Sequence, residues 1–479
     1  MKSQIDRRQF IQLGAAGCAA CMLCSKVPLF GAVGGGSVLV SPGCRRTKVK
    51  IAKIYIGTDK CHWPKPTLDL KKEVAFYETQ FDKMKAEFAD VDFVVDELLK
   101  SPEQVEQLKD KLQKVDGILL IHLTIGISRI MNKIVELGKP MMIFAAPYSG
   151  HEWVGFGSLR KEEKGAKVDC ILSSDYSQLA AAIRPFRAIH HLREAKICNL
   201  STRDRSSYSA SMKDKFGTRI KQVELDRMLK LYDSISDKAA DQECNDWMKK
   251  AEKVVEPDRD EIFRSCKLAL AFEKLLDEED ATVMTVDCYG TMYRKLPAFP
   301  CVGFTRLNDM GLGGICESDL RCAMTHIIIQ GLCGRPGFIS DPTVDESKSS
   351  IILAHCLGTR KMDGPDGPMA PYKLRTIMER QEGAVPQIEM RLGEKVTQAL
   401  LVGTDKILYF TGDIIEAPVT LKDDRGCRTK IDVKVDGDIQ KLWQNWSEGL
   451  HRQTCYGDIT KDLARFCKFT GIEMIDEAV

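Results

Sequence analysis

The run GILLIHLTIGISRIMNKIVELGKPMMIFAAP, residues 117–147, decides the class of fold. Two apolar segments, GILLIHL (117–123) and PMMIFAAP (140–147), flank a stretch over 127–137 in which apolar residues recur every three to four positions. The short continuous runs read as strands and the periodic stretch between them as a helix. Strands joined by such a crossover run parallel, and a parallel sheet carries its ligand crevices at the C-terminal ends of its strands. Upstream, VDFVVDEL (91–98) followed by a charged helical pattern over 102–113 repeats the unit, and VKIAKIYIG (49–57) followed by a helical pattern over 68–88 opens it.

Downstream the alternation continues, with a helix over 179–190, the strand AKICNLS (195–201) and a charged, mostly helical stretch over 222–278. ATVMTVDC (281–288), PCVGFT (300–305), PGFIS (336–340) and IILAHC (351–356) read as further strands, with a helix over 318–332. Beyond Gly358 the strands LVGTDKILYFTGDIIEA (401–417) and TKIDVKV (429–435) follow one another without helices, and a final amphipathic helix over 458–471 stops at Gly471. The expected architecture is two α/β domains with parallel sheets, residues 45–170 and 171–357, followed by a β-rich, barrel-like domain over 358–479. Glu317 and Asp341 fall in the second domain and His451 in the third.

Residues 1–44 obey different rules. Arg7-Arg8, Phe10, an apolar segment of small residues and the joint Gly34-Gly35-Gly36-Ser37 resemble a twin-arginine export signal and its linker. That implies passage through the twin-arginine export machinery to a periplasmic or extracellular address; an amphipathic helix with two arginines is the alternative. Cys18, Cys21 and Cys24 have CxxCxxC spacing but lie inside the apolar segment, which argues against a metal cluster. Cys18 or Cys44 could carry a lipid anchor, although neither has a large aliphatic residue three positions upstream.

The formal net charge is +2, and Lys2, Arg7, Arg8 and Lys26 against Asp6 place the excess at the front. The rest is close to neutral and offers no basic field for nucleic acid. Past residue 44 no apolar run reaches the ~20 residues that cross a bilayer, so the expectation is no transmembrane body. The cysteines of the body are scattered without framework spacing and read as small buried hydrophobes.

Chemistry concentrates in GLGGICESDLRCAMTHIIIQGLCGRPGFISDPTVDESKSSIILAHC (311–356). Glu317 stands between a glycine-rich loop and a helix start, Asp341 follows the strand PGFIS, and His355 closes the strand IILAH, so all three are expected at edges of one sheet layer. Two carboxylates and imidazoles on loop ends suit a Mn²⁺-like or Mg²⁺-like cation with positions left for substrate oxygens. Taken singly, Glu317 also reads as a carboxylate at a helix N-terminus, Asp341 as a turn residue before Pro342 and His355 as a core histidine. His451, in GLHRQTCYGDITKDLARFCKFTG (449–471), is on its own a loop histidine. His62, Trp63, His122 and His151-Glu152-Trp153 follow strand ends of the first domain, where a packing role is the simpler reading.

Together, CESDLRCAMTHIIIQGLCG, FISDP, the LAHC strand and the C-terminal block around His451 resemble the L-fucose/L-arabinose isomerase family, and the fucose type more closely. The resemblance implies that Glu317, Asp341 and His451 bind a catalytic Mn²⁺ or another divalent cation. Arabinose isomerases carry glutamate where this chain has Asp341 and add a histidine from the strand that here ends in His355, so His355 joins the metal set either as a further ligand or as a residue that supports the ligands. It also implies aldose–ketose interconversion of a sugar through an ene-diolate, with Glu317 and Asp341 as the acid/base pair, in a homo-oligomer, trimer or hexamer. Two alternatives stay open: epimerisation or elimination on a sugar derivative at the same metal, and a carbohydrate-binding protein without turnover.

Overall fold

The computed structural model describes residues 43–421 and 424–479. The export-signal reading, Cys18, Cys21, Cys24 and the glycine joint lie outside the described residues. The first sheet contains β1 (Val49–Ile56), β2 (Val91–Leu99), β3 (Gly117–His122), β4 (Met141–Ala145) and β5 (Val168–Leu172), all parallel, in the order β2-β1-β3-β4-β5. Every residue of β3 and β4 is buried. Their unbroken apolar runs follow from helices on both faces, since neither side of the strand meets water. On one face Ile118, Leu120 and Ile143 pack with Ile130 and Ile134 of the helix Ser128–Val135. On the other, Tyr55, Leu119 and Phe144 pack with Tyr77 and Phe81 of the helix Leu70–Lys83 and with Phe186 of the helix Arg184–Glu194.

The second sheet is parallel and smaller. It contains β6 (Lys196–Leu200), β7 (Arg219–Gln222), β9 (Val283–Val286) and β10 (Gly313–Ile315) in the order β10-β9-β6-β7. The two-residue β8 (Lys253–Val254) pairs instead with β13 (Tyr372–Ile377), which pairs with β14 (Glu382–Ile388). PCVGFT, expected as a strand, lies in the helix Cys301–Asp309, buried at all but one of its nine residues. A short apolar run buried all round has no period to separate helix from strand, and here Phe304 stacks on Phe272 of the helix Arg259–Glu279.

The C-terminal sheet is an antiparallel barrel. β11 (Phe338–Asp345), β12 (Ser350–His355), β15 (Lys395–Val402), β16 (Lys406–Glu416), β17 (Thr429–Val435) and β18 (Arg452–Tyr456) run in the order β15-β18-β11-β12-β17-β16, and β15–β16 pairing closes the ring. β19 (Glu473–Asp476) adds a parallel edge to β16. Phe338, Leu353, Val396, Phe410, Ile431 and Val433 belong to the hydrophobic cluster at this barrel.

Two expectations change here. PGFIS and IILAHC were read as strands of the second α/β domain, yet β11 pairs with β18 (Ile339 opposite Gln453) and β12 with β17 (Leu353 opposite Ile431). Asp341 and His355 therefore stand on the barrel, and Glu317, just beyond β10, comes from a different sheet. The physical reason is the connection: a short turn over 346–349 joins β11 to β12, too short for the crossover that a parallel pair requires.

The helix Leu320–Cys333 links the two regions and is buried at nearly every residue. It approaches the helix Arg184–Glu194 so closely that a Cβ on Gly331 would lie 2.4 Å from Ala188 Cα. Among the described residues no helix is long and apolar enough to cross a membrane. All fifteen described cysteines are free and twelve are buried, as the reading of small buried hydrophobes requires. Cys44 is one of them, with Sγ 3.5 Å from His190 Nε2.

Candidate metal centre

The chain reaches this centre from three places. After β10 it turns through Cys316–Ser318, where Glu317 (φ 57°) and Ser318 (φ 55°) both adopt left-handed backbone. For a residue with a Cβ that conformation costs roughly 1–2 kcal/mol. Ser318 Oγ offsets part of it by donating to Asn199 Oδ1 at 2.6 Å. Asp319 then caps the helix Leu320–Cys333, its Oδ1 accepting from the Cys322 N–H at 3.0 Å. Asp341 lies within β11, opposite Ala354 of β12, and His355 ends β12. His451 immediately precedes β18 and is buried.

These side chains converge. His451 Nε2 lies 3.2 Å from Asp341 Oδ1 and 3.9 Å from Glu317 Oε2, while its Nδ1 lies 3.2 Å from Asp319 Oδ2. The His355 ring stands 5.5 Å from that of His451. Ligand atoms of Asp341, His355 and His451 lie within 4.8 Å of one another, and so do those of Cys316, Glu317 and His355. His355 is common to both groups. Asp341 Oδ1 and His355 Nδ1 are buried without a hydrogen-bond partner; the contact of Asp341 with His451 Nε2 is one of charge and proximity. Buried polar atoms left unsatisfied inside a ring of carboxylates and imidazoles are what a cation's donor set looks like.

The electrostatics agree. Burial pushes the Glu317 carboxyl up and the charges of Asp341 and Asp319 add to it, against the opposing effect of His451. Asp341 is held below the usual range: burial acts upward, but His451 and His355 outweigh it. Burial alone would lower His451, yet Asp319 and Asp341 raise it to about 10. His355 is pushed down to about 4 by burial and by the charge of His451. A positive charge is thus favoured at the spot where three carboxylates meet one imidazole, and a divalent cation supplies it with more charge than a proton does.

Asp319, two residues after Glu317, supports the centre through His451. By accepting from Nδ1 it leaves His451 Nε2 facing Asp341 and Glu317, the arrangement by which a carboxylate fixes the tautomer of a metal-binding histidine. No spacing within the motif signals this role, because the contact with His451 spans 132 positions of the chain. In the first domain the structure pairs Trp63 with His151, their rings 4.5 Å apart, and His122 with Glu152, Nε2 to Oε2 at 3.2 Å.

No family model matches the chain. Over 288 residues, 56% of its length, it is 22% identical to a sulfoquinovose isomerase of Alkalicoccus urumqiensis, covering 60% of that protein. Over 278 residues, 54% of its length, it is 22% identical to a sulfoquinovose isomerase of Clostridium sp. (strain MSTE9), covering 58% of it. The match thus spans about three fifths of these curated relatives, and what the chain is similar to, over that length, is a pair of sugar isomerases.

Proposed function

We propose that this protein is an aldose–ketose isomerase acting with Mn²⁺ or another divalent cation held by Glu317, Asp341 and His451, with His355 beside them. The observation that carries the reading is the convergence of these side chains from two sheets and a distant C-terminal block, with Asp341 Oδ1 and His355 Nδ1 left unsatisfied between them. Relatives named for sugar isomerisation support the same reaction class.

When bound, the cation would polarise the carbonyl and neighbouring hydroxyl oxygens of a sugar. The residues of the chain do the rest. One of Glu317 and Asp341 takes the proton from the hydroxyl-bearing carbon beside the carbonyl, and the other delivers a proton to the former carbonyl carbon or serves the oxygens. Without a cation, burial and the neighbouring carboxylates raise the proton affinity of Glu317, while His451 and His355 lower that of Asp341, so the two carboxylates are not equivalent. Asp319 keeps His451 turned toward the pair. This reading carries with it a homo-oligomer in the assembled enzyme.

The test is product analysis in heavy water. Incubated with Mn²⁺ and a panel of aldoses that includes sulfoquinovose, the protein should move the carbonyl from C1 to C2, removing the proton from C2 and delivering deuterium to C1. Loss of water would indicate elimination, and inversion without carbonyl movement epimerisation. Binding of sugars with no conversion would leave a carbohydrate-binding protein in place of an enzyme.

A further inference from the structure

A third group of metal-ligating side chains lies one residue beyond His355 and has no part in the reaction above. Cys356 leaves the end of β12, Cys427 stands two residues before β17, and Glu379 is carried on the turn between β13 and β14. The pairing of His355 with Thr429 brings the two cysteine-bearing segments side by side. Glu379 Oε1 lies 3.5 Å from Cys427 Sγ, Glu379 Oε2 lies 3.9 Å from Cys356 Sγ, and ligand atoms of all three residues fall within 4.8 Å of one another.

The spacing leaves room for a tetrahedral ion. With Zn–S near 2.3 Å and Zn–O near 2.1 Å, two ligands on neighbouring corners sit roughly 3.6 Å apart; each thiol here faces a different oxygen of Glu379, and a small rotation of that exposed carboxylate would bring one oxygen to a corner shared with both thiols. Two thiols and one carboxylate make a softer donor set than the carboxylates and imidazoles around His451, so the two groups should sort different metals. We propose that Cys356, Cys427 and Glu379 form a second metal site, for Zn²⁺ or a similarly soft divalent ion. It would tie the tip of the β13–β14 hairpin to β12 and β17. Three protein ligands leave the fourth corner to water. The adjoining Arg380 packs 5.7 Å from the ring centre of Tyr289 and 4.9 Å from that of Tyr293, so the clamp would also fix this arginine over the two rings.

The experiment is a Co²⁺ titration of the full chain with all thiols reduced, read by the thiolate-to-cobalt charge-transfer band. The wild type should show the band at one equivalent, Cys427→Ser should lose it, and Glu379→Gln should keep it with at least tenfold weaker binding. Cys427 is the less buried of the two cysteines, and Glu379 is exposed, so these variants disturb the core least. Glu317→Gln and His451→Ala should retain the band, which separates this site from the proposed catalytic one. Absence of the band in reduced wild type would overturn the proposal. So would its survival in Cys427→Ser, or a Cys356–Cys427 disulfide in protein isolated without oxygen.

Discussion

Glu317, Asp341 and His451 each have an ordinary explanation when viewed alone, and their distances in the fold are what set those explanations aside. Glu317→Gln, Asp341→Asn and His451→Ala should each lower Mn²⁺-stimulated turnover by roughly 100-fold or more while circular dichroism shows an intact fold. Unchanged turnover in any one removes that residue from the chemistry. Asp319 makes a subtler claim. Because it holds His451 by Nδ1 at 3.2 Å, Asp319→Asn should weaken Mn²⁺ binding about 10–100-fold in a calorimetric titration, with the fold retained. Affinity equal to wild type would mean that His451 is positioned by packing alone.

Between the elements, one buried ion cluster ties the first sheet to the helix Arg184–Glu194. Asp116, just before β3, contacts Arg193, accepts from the Lys50 N–H at 2.8 Å and lies 3.0 Å from His190 Nδ1. Burial pushes its carboxyl up, but His190, Arg193 and the Lys50 N–H outweigh this and bring it down to about 2, from an ordinary value of 3.8. A carboxylate so depressed stabilises the fold fully above about pH 4, and that contribution disappears as pH falls through about 2. Asp116→Asn should therefore cost about 2–3 kcal/mol in urea unfolding near neutral pH, and the deficit should shrink toward zero as pH approaches 2. A deficit that does not change with pH would assign it to shape and not to charge.

The elements also show how far the sequence could be read. β1, β3 and β4 were legible because strands buried on both faces are nearly unbroken apolar runs between helical periods, whereas the five-residue edge strand β5, interrupted by Asp169, was missed. Cys301–Asp309 was not, since its apolar residues face protein in every direction. The final helix ended where expected, with Gly471 in left-handed backbone at φ 67°. Asp341 and His355 were recognisable as ligand types, but the placement of their strands on the barrel depended on partners more than seventy residues away, such as Gln453 opposite Ile339 and Thr429 opposite His355. Local pattern carries no such information. The role of Asp319 needed the position of the His451 ring, which no spacing within the CESD motif supplies.

For the whole molecule, the export signal and the metal centre are separable claims. Arg7→Lys combined with Arg8→Lys should strand the precursor in the cytoplasm, measured by fractionation; normal export of the double variant would contradict the signal reading. The central claim, that one divalent cation is gripped jointly by the barrel and the second α/β region, has a more direct test. Crystals of the full chain soaked in Mn²⁺ should give an anomalous-scattering peak at the manganese edge among Glu317, Asp341, His355 and His451. A peak confined to other residues, or none there at saturating Mn²⁺, would contradict the account.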